Sequence, residues 1–258
     1  MIFLNKQGYI GSIIVLSCIV LMFSCGGKKI MVSYDMSAEA SFEEGMKLYD
    51  EGHYDKAIEY FLNVVTFNPS ANIADDAQFM VGMSYYNMKK YEDAIAEFEM
   101  VISNFARSEL VDDAYYYEGL SYLRLSPPYY LDQALTKTAI DKFKTVIETY
   151  QYSNVIDDAK KALYESRNKL ARKEYEAESF YMRRGEYKSV IVYSELIEKD
   201  YYDTEWVDDA IYLRAIAEYK LEMYEDARTT ITKLIEKYPD SEYVGDVRKL
   251  LMELDSKI

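Results

Sequence analysis

The sequence predicts an all-α chain of stacked helical hairpins, and three observations carry that expectation. Helix breakers are scarce, since 258 residues include only 10 Gly and 4 Pro, and such a composition suits helices better than turn-rich β structure. Two landmark series then repeat with one shared, irregular spacing. The tetrads Ala74-Asp75-Asp76-Ala77, Val111-Asp112-Asp113-Ala114, Ile156-Asp157-Asp158-Ala159, Val207-Asp208-Asp209-Ala210 and the worn Val244-Gly245-Asp246-Val247 end 37, 45, 51 and 37 residues apart. Ala57, Ala94, Ala139, Val190 and Ala227 follow the same four spacings, each 20 residues before a tetrad end. Finally, four and seven residues after each of these come Phe61/Val64, Phe98/Val101, Phe143/Val146, Ser194/Ile197 and Ile231/Leu234. That is the buried stripe of a helix.

From the N-terminus, Lys6 precedes an apolar run from Tyr9 to Phe23 that ends in Ser24-Cys25-Gly26-Gly27. A basic start, an apolar stretch and a small residue before Cys predict a lipoprotein signal peptide over 1–24. The run is about 15 residues, short of the roughly 20 that span a bilayer. Cys25 is then the lipidated residue, and 25–37 are a tether that anchors the chain to a membrane through its lipid. Processing leaves the mature chain without a free thiol or a disulfide, which suits the periplasm.

The repeat unit follows tetratricopeptide (TPR) grammar. Gly45, Gly82 and Ala215 lie twelve residues before Ala57, Ala94 and Ala227, where a small residue lets the two helices of a hairpin approach closely. Tyr54, Tyr91 and Tyr224 open the second helix, while Pro69 and Pro239 stop it in the first and fifth hairpins. The third hairpin carries 8 extra residues around Ser126-Pro127-Pro128-Tyr129-Tyr130, which predicts a loop, and the fourth carries 14 extra with no Gly or Pro between Val155 and Arg183. The latter predicts one long helix, extended by about 21 Å. Val247, Leu250, Leu251 and Leu254 form the stripe of a capping helix. The expected architecture is a right-handed superhelix of about five TPR hairpins, one long central helix and a C-terminal cap. It is divided into an N-terminal block over 38–152 and a C-terminal block over 153–258.

These features together resemble the BamD (YfiO) family of outer-membrane-assembly lipoproteins. They are the lipobox before five hairpins, and the loop between Gly119-Leu120-Ser121-Tyr122 and Leu131-Asp132-Gln133. The long helix from Lys169-Leu170-Ala171-Arg172 through Phe180-Tyr181 to Gly185-Glu186-Tyr187 completes the set. The degenerate fourth repeat, with Gln151 and Tyr202 in place of the usual proline, departs from the pattern. The resemblance implies a non-enzymatic scaffold, lipid-anchored to the outer membrane and facing the periplasm. It also implies two kinds of partner: the POTRA-bearing outer-membrane insertase, and unfolded outer-membrane proteins presenting C-terminal segments. A rival reading is an envelope TPR protein that coordinates cell-wall or Tol-Pal functions. Such proteins often carry an N-terminal coiled coil, and no sustained heptads appear between Cys25 and Ala38.

Composition bounds the chemistry. A net charge of −15 argues against nucleic acid as a partner. One His and two Cys remove most zinc sites and Cys- or His-based catalysis, so no metal, cofactor or catalytic residue is assigned. His53, in a Gly52-containing turn, reads as a solvated turn residue. The paired aspartates read as first-turn acids that complement the helix dipole, with Ser108, Ser153, Thr204 and Ser241 as caps. Trp206 is either core between the last two hairpins or an exposed anchor. The candidate binding surface is a row on the first helix of each hairpin. It comprises Phe42, Met46 and Tyr49; Phe79, Met83 and Tyr86; Tyr116, Leu120 and Leu123; and Tyr212, Ile216 and Tyr219. Such a row can take an extended peptide with aromatic anchors, or it can serve packing between hairpins.

Overall fold

A computed structural model describes residues 36–255, and among them the chain forms eleven α-helices and no strand. The predicted leader, Cys25 and most of the tether lie outside the described residues. Five antiparallel hairpins follow in chain order. They are α1 (Ala38–Asp50) with α2 (Tyr54–Phe67), α3 (Ala74–Asn87) with α4 (Tyr91–Asn104), and α5 (Val111–Leu125) with α6 (Ala134–Thr149). Then come α7 (Ile156–Arg184) with α8 (Tyr187–Asp200), α9 (Val207–Lys220) with α10 (Tyr224–Lys237), and the capping helix α11 (Val244–Leu254). Each helix packs on its sequence neighbours, and α1, α3, α5 and α7 also touch in series.

The core is the second-helix stripe. Ala57, Phe61 and Val64 of α2, and their counterparts Ala94/Phe98/Val101 and Ala139/Phe143/Val146, are fully buried. Each buried Phe contributes about 1.5–3 kcal/mol. The glycines opposite explain how such rings fit. A Cβ added at Gly45 would stand 2.7 Å from the Phe61 ring, one at Gly82 would stand 2.6 Å from Phe98, and one at Gly119 would stand 2.7 Å from Phe143. The fifth hairpin makes the opposite trade, with Ala215 on α9 and the slimmer Ile231 on α10, both fully buried.

The short turns of the first, second, fourth and fifth hairpins each hold one left-handed residue. Gly52 (φ 77°) and Gly185 (φ 72°) supply it without a Cβ clash, while Lys89 (φ 60°) and Glu222 (φ 61°) hold the same conformation against the usual preference. Gly185 also ends α7, a helix of 29 residues and about 43 Å. The aspartate pairs do fall in first helical turns. The expected caps do not form: the N-cap positions of α5, α7, α9 and α11 are Leu110, Val155, Trp206 and Tyr243, without side-chain caps. Ser108, Ser153 and Ser241 stand two residues too early. Their hydroxyls accept instead from the N–H two residues on (Leu110, Val155 and Tyr243) and shape the turn before the helix. Thr204 donates its hydroxyl to the Tyr201 carbonyl.

Gly82→Ala is expected to destabilise the protein by about 1–3 kcal/mol through overpacking against Phe98. Adding Phe98→Ile recreates the Ala215–Ile231 pairing and should recover part of that loss. Urea unfolding of both single variants and the double variant checks this; strictly additive losses would contradict the contact.

Candidate protein-binding groove

The twelve residues of the candidate row are all half-buried. Their inner edges belong to the hairpin cores. The Phe42 ring lies 5.5 Å from Phe61, Phe79 lies 5.6 Å from Phe98, and Tyr116 lies 6.1 Å from Phe143. Polar ends tie neighbouring hairpins together. Asn87 Nδ2 donates to the Tyr49 hydroxyl at 2.7 Å, and the Tyr86 hydroxyl is hydrogen-bonded by Arg124. Tyr117, on α5, interlocks the second and third hairpins, with its ring 5.9 Å from Phe79, 5.6 Å from Tyr86 and 5.2 Å from Tyr116. The sequence stripe passes over Tyr117 because it sits one residue off the row. The row is therefore built from below by packing and remains partly open above.

Its edge is acidic. Residues 36–133 contain 18 Asp/Glu and 6 Lys/Arg. Burial, aided by the neighbouring Asp75 and Asp112, pushes the carboxyls of Asp76 and Asp113 up. Tyr116 is pushed up to about 12, first by burial and then by the Asp158 charge. Asp209 is raised mainly by burial, while the Tyr243 hydroxyl donates to it at 2.6 Å and opposes the shift. The Tyr243 ring stacks on Tyr212 at 4.1 Å, so the last hairpin is closed by its own cap. No group of three or more metal-ligating side chains occurs among the described residues.

The fourth hairpin breaks the packing rule. Glu178 stands twelve residues before Val190 and sixteen before Ser194, the register of Gly45 and Phe61. Ser194 is fully buried and donates to the Ala210 carbonyl at 3.0 Å. Glu178 is fully buried too, and neither carboxyl oxygen has a hydrogen-bond partner. Burial, with Asp209 nearby, raises its carboxyl to about 9, so it is protonated at neutral pH. Glu118, equally buried, differs in having Lys142 Nζ 2.6 Å away.

The two insertions meet. Loop 126–133 lies along α7, where Lys169 Nζ donates to Ser126 Oγ at 2.5 Å and Lys173 Nζ donates to the Leu131 carbonyl at 2.8 Å. The Arg172 guanidinium rests 4.2 Å above the Tyr129 ring and 5.8 Å from Trp206. Trp206 is half-buried, with its ring 5.1 Å from Tyr175, so it packs between α7 and the start of the fifth hairpin. His53 is the N-cap residue of α2, half exposed in its turn.

The family model YfiO, described as outer membrane lipoprotein, matches residues 34–232. No curated protein matches the chain. Among solved structures, the TPR2AB domain of yeast Sti1 in complex with pHSP90 is 19% identical, with 79% of this chain and 78% of that one covered and a TM-score of 0.44. YrrB, a TPR protein with an unusual peptide-binding site, is 17% identical over 83% of this chain and 92% of its own, with a TM-score of 0.36. The C-terminal part of a TPR protein from Cytophaga hutchinsonii is 18% identical over 79% and 67%, with a TM-score of 0.33.

Glu178 makes stability depend on pH. Its folded carboxyl titrates near 9 and its unfolded one near 4.5, so the folded state holds a proton that the unfolded state releases in between. The wild type should lose stability relative to Glu178→Gln as pH rises through that window, at a slope of about 1.4 kcal/mol per pH unit. Urea unfolding of both proteins between pH 5 and 9 measures it. A pH-independent difference would show that Glu178 is ionised in the fold.

Proposed function

Because the chain belongs to the YfiO outer membrane lipoprotein family, we propose that it is the lipid-anchored TPR scaffold of an outer-membrane β-barrel assembly machine, tethered through Cys25 and facing the periplasm. The single observation that carries this reading is the family match over residues 34–232, laid on five tandem hairpins. In this reading the chain recruits two partners, the POTRA-bearing insertase and unfolded outer-membrane proteins. The chain itself supplies no chemistry: it positions one partner against the other.

The half-buried row over α1, α3 and α5 is the surface proposed to receive unfolded substrate. Phe42, Met46, Phe79, Met83, Tyr116 and Leu120 offer partly open apolar faces that need no large rearrangement, and Met adapts to varied side chains. Tyr49 and Tyr86 frame the row, each already held by a hydrogen bond from the next hairpin, which lowers the ordering cost of binding. The division proposed at the α6–α7 boundary gives the scaffold two working blocks, 38–152 and 153–258. The long α7 spans them, since it packs on α5 and α6 as well as on α8 and α9.

Pull-down of the tagged lipoprotein from mild-detergent membranes, with mass spectrometry of what stays bound, tests the scaffold. A POTRA-bearing barrel protein recovered in near-equal amount is the expected result. Its replacement by peptidoglycan-linked or Tol-Pal proteins would move the function to envelope coordination. The Tyr49→Ala/Tyr86→Ala double variant should weaken capture of substrate C-terminal peptides by about tenfold or more, read by fluorescence anisotropy. Unchanged affinity would remove the groove assignment while leaving the scaffold intact.

A further inference from the structure

The surface where the two insertions meet is unlike the rest of the molecule in shape and in charge. Tyr130 and Leu131 at the tip of loop 126–133 are 65% and 49% exposed, and Phe180 on α7 is 47% exposed. They adjoin one row of α7. Arg172, Glu176, Phe180 and Arg184 succeed one another at i, i+4 and so share a face. Arg172 and Glu176 meet Tyr129, the residue before Tyr130, at 4.2 and 3.5 Å, while the Arg184 guanidinium lies over Phe180 at 5.5 Å.

The loop is held in place from within. Gln133 is buried, and its Nε2 donates to the Pro128 carbonyl at 2.8 Å and, at longer range, to those of Pro127 and Leu131. Its Oε1 accepts from Thr136 at 2.7 Å. A loop pinned to its own turn and to α7 presents its apolar tip at little entropic cost to a partner. An unpinned surface loop with two exposed apolar groups would be an unexplained liability.

The charge of this strip is reversed against its surroundings. Residues 167–188 hold seven Lys/Arg and four Asp/Glu, in a chain whose net charge is −15. One of the four acids, Glu178, is buried and adds nothing to the surface. Residues 36–133, by contrast, carry three acids for every base.

The geometry points to a docking platform, formed by loop 126–133 and the exposed row of α7, for an acidic segment of a partner protein that carries apolar side chains between its carboxylates. Tyr130, Leu131 and Phe180 supply the apolar contact, and the exposed Arg183 guanidinium supplies planar donors suited to carboxylates, beside Arg184, whose Nε is already paired with Glu186 at 2.9 Å. Glu176 within the row suits a mixed protein face better than a layer of anionic headgroups. The platform lies on α7 and its loop, apart from the part of the groove row on α1 and α3 and bordering its last helix, α5.

Photo-crosslinking in native membranes tests this directly. p-Benzoylphenylalanine is placed at Tyr130 or Phe180 of the full lipoprotein, with Met252 on α11, 67% exposed, as the control position. The expected result is one discrete protein adduct at both platform positions and not at Met252, with the crosslinked peptide rich in Asp and Glu. Arg183→Glu, alone or with Arg184→Glu, should reduce the adduct by about fivefold or more with helical circular dichroism unchanged, and added salt should reduce it as well. A lipid adduct alone, a basic crosslinked segment, a yield no higher than at Met252, or insensitivity to Arg183→Glu would overturn the platform. An acidic adduct to a protein other than the insertase would keep the platform and refute the assembly role; copurification of the insertase without any adduct would do the reverse.

Discussion

The contact between a glycine on the first helix of a hairpin and a phenylalanine ring on the second sets the geometry of this molecule. Three times a Cβ would intrude within 3 Å of the ring, so two helices approach at a distance that neither a bulkier first residue nor an unburied ring would allow. Each hairpin presents its remaining apolar face to the next, because a lone helical pair cannot bury both sides. The groove row is a by-product of that stacking. Phe42, Phe79 and Tyr116 point their inner edges at the same phenylalanines that define the hairpins. The candidate row and the core are two sides of one set of rings.

Where the rule is relaxed, the molecule departs from a regular array. The fourth hairpin replaces glycine and phenylalanine by Glu178 and Ser194, a polar pair buried without mutual compensation. It is also the hairpin whose first helix runs 29 residues. The extra length is used: loop 126–133 lies along α7, Arg172 sits between Tyr129 and Trp206, and Arg167 grips Asp203 in the turn before α9. The two irregular segments form one unit that joins the third hairpin to the fifth. A buried carboxyl without a hydrogen-bond partner lies in this same long helix, at a cost in stability.

The repeat was legible because spacing survives where identity does not. Ala57, Ala94, Ala139, Val190 and Ala227 marked five helices that all exist, and the absence of Gly and Pro up to Arg183 marked the long one. Gly119 escaped the twelve-residue rule because eight inserted residues separate it from Ala139. Counting twelve back from Val190 lands on Glu178, so the anomaly was visible in the sequence, yet only burial reveals that its oxygens lack partners. The cap assignment failed for Ser108, Ser153 and Ser241 because turn-forming and cap-forming serines differ by two residues in register. Contacts such as Arg172 with Tyr129 and Trp206 join residues more than thirty apart, and no local pattern announces them.

The proposed scaffold is a spacer with two distinct surfaces, an aromatic row on α1, α3 and α5 and a cationic apolar platform on α7 and its loop. Hydrogen exchange on the lipoprotein purified with its membrane partner, before and after addition of an unfolded outer-membrane protein, tests that most directly. The account predicts that the partner slows exchange in the loop 126–133 and the second half of α7, and that the substrate then slows it in α1, α3 and α5. Protection of the same helices by both ligands, or of neither region, would contradict it.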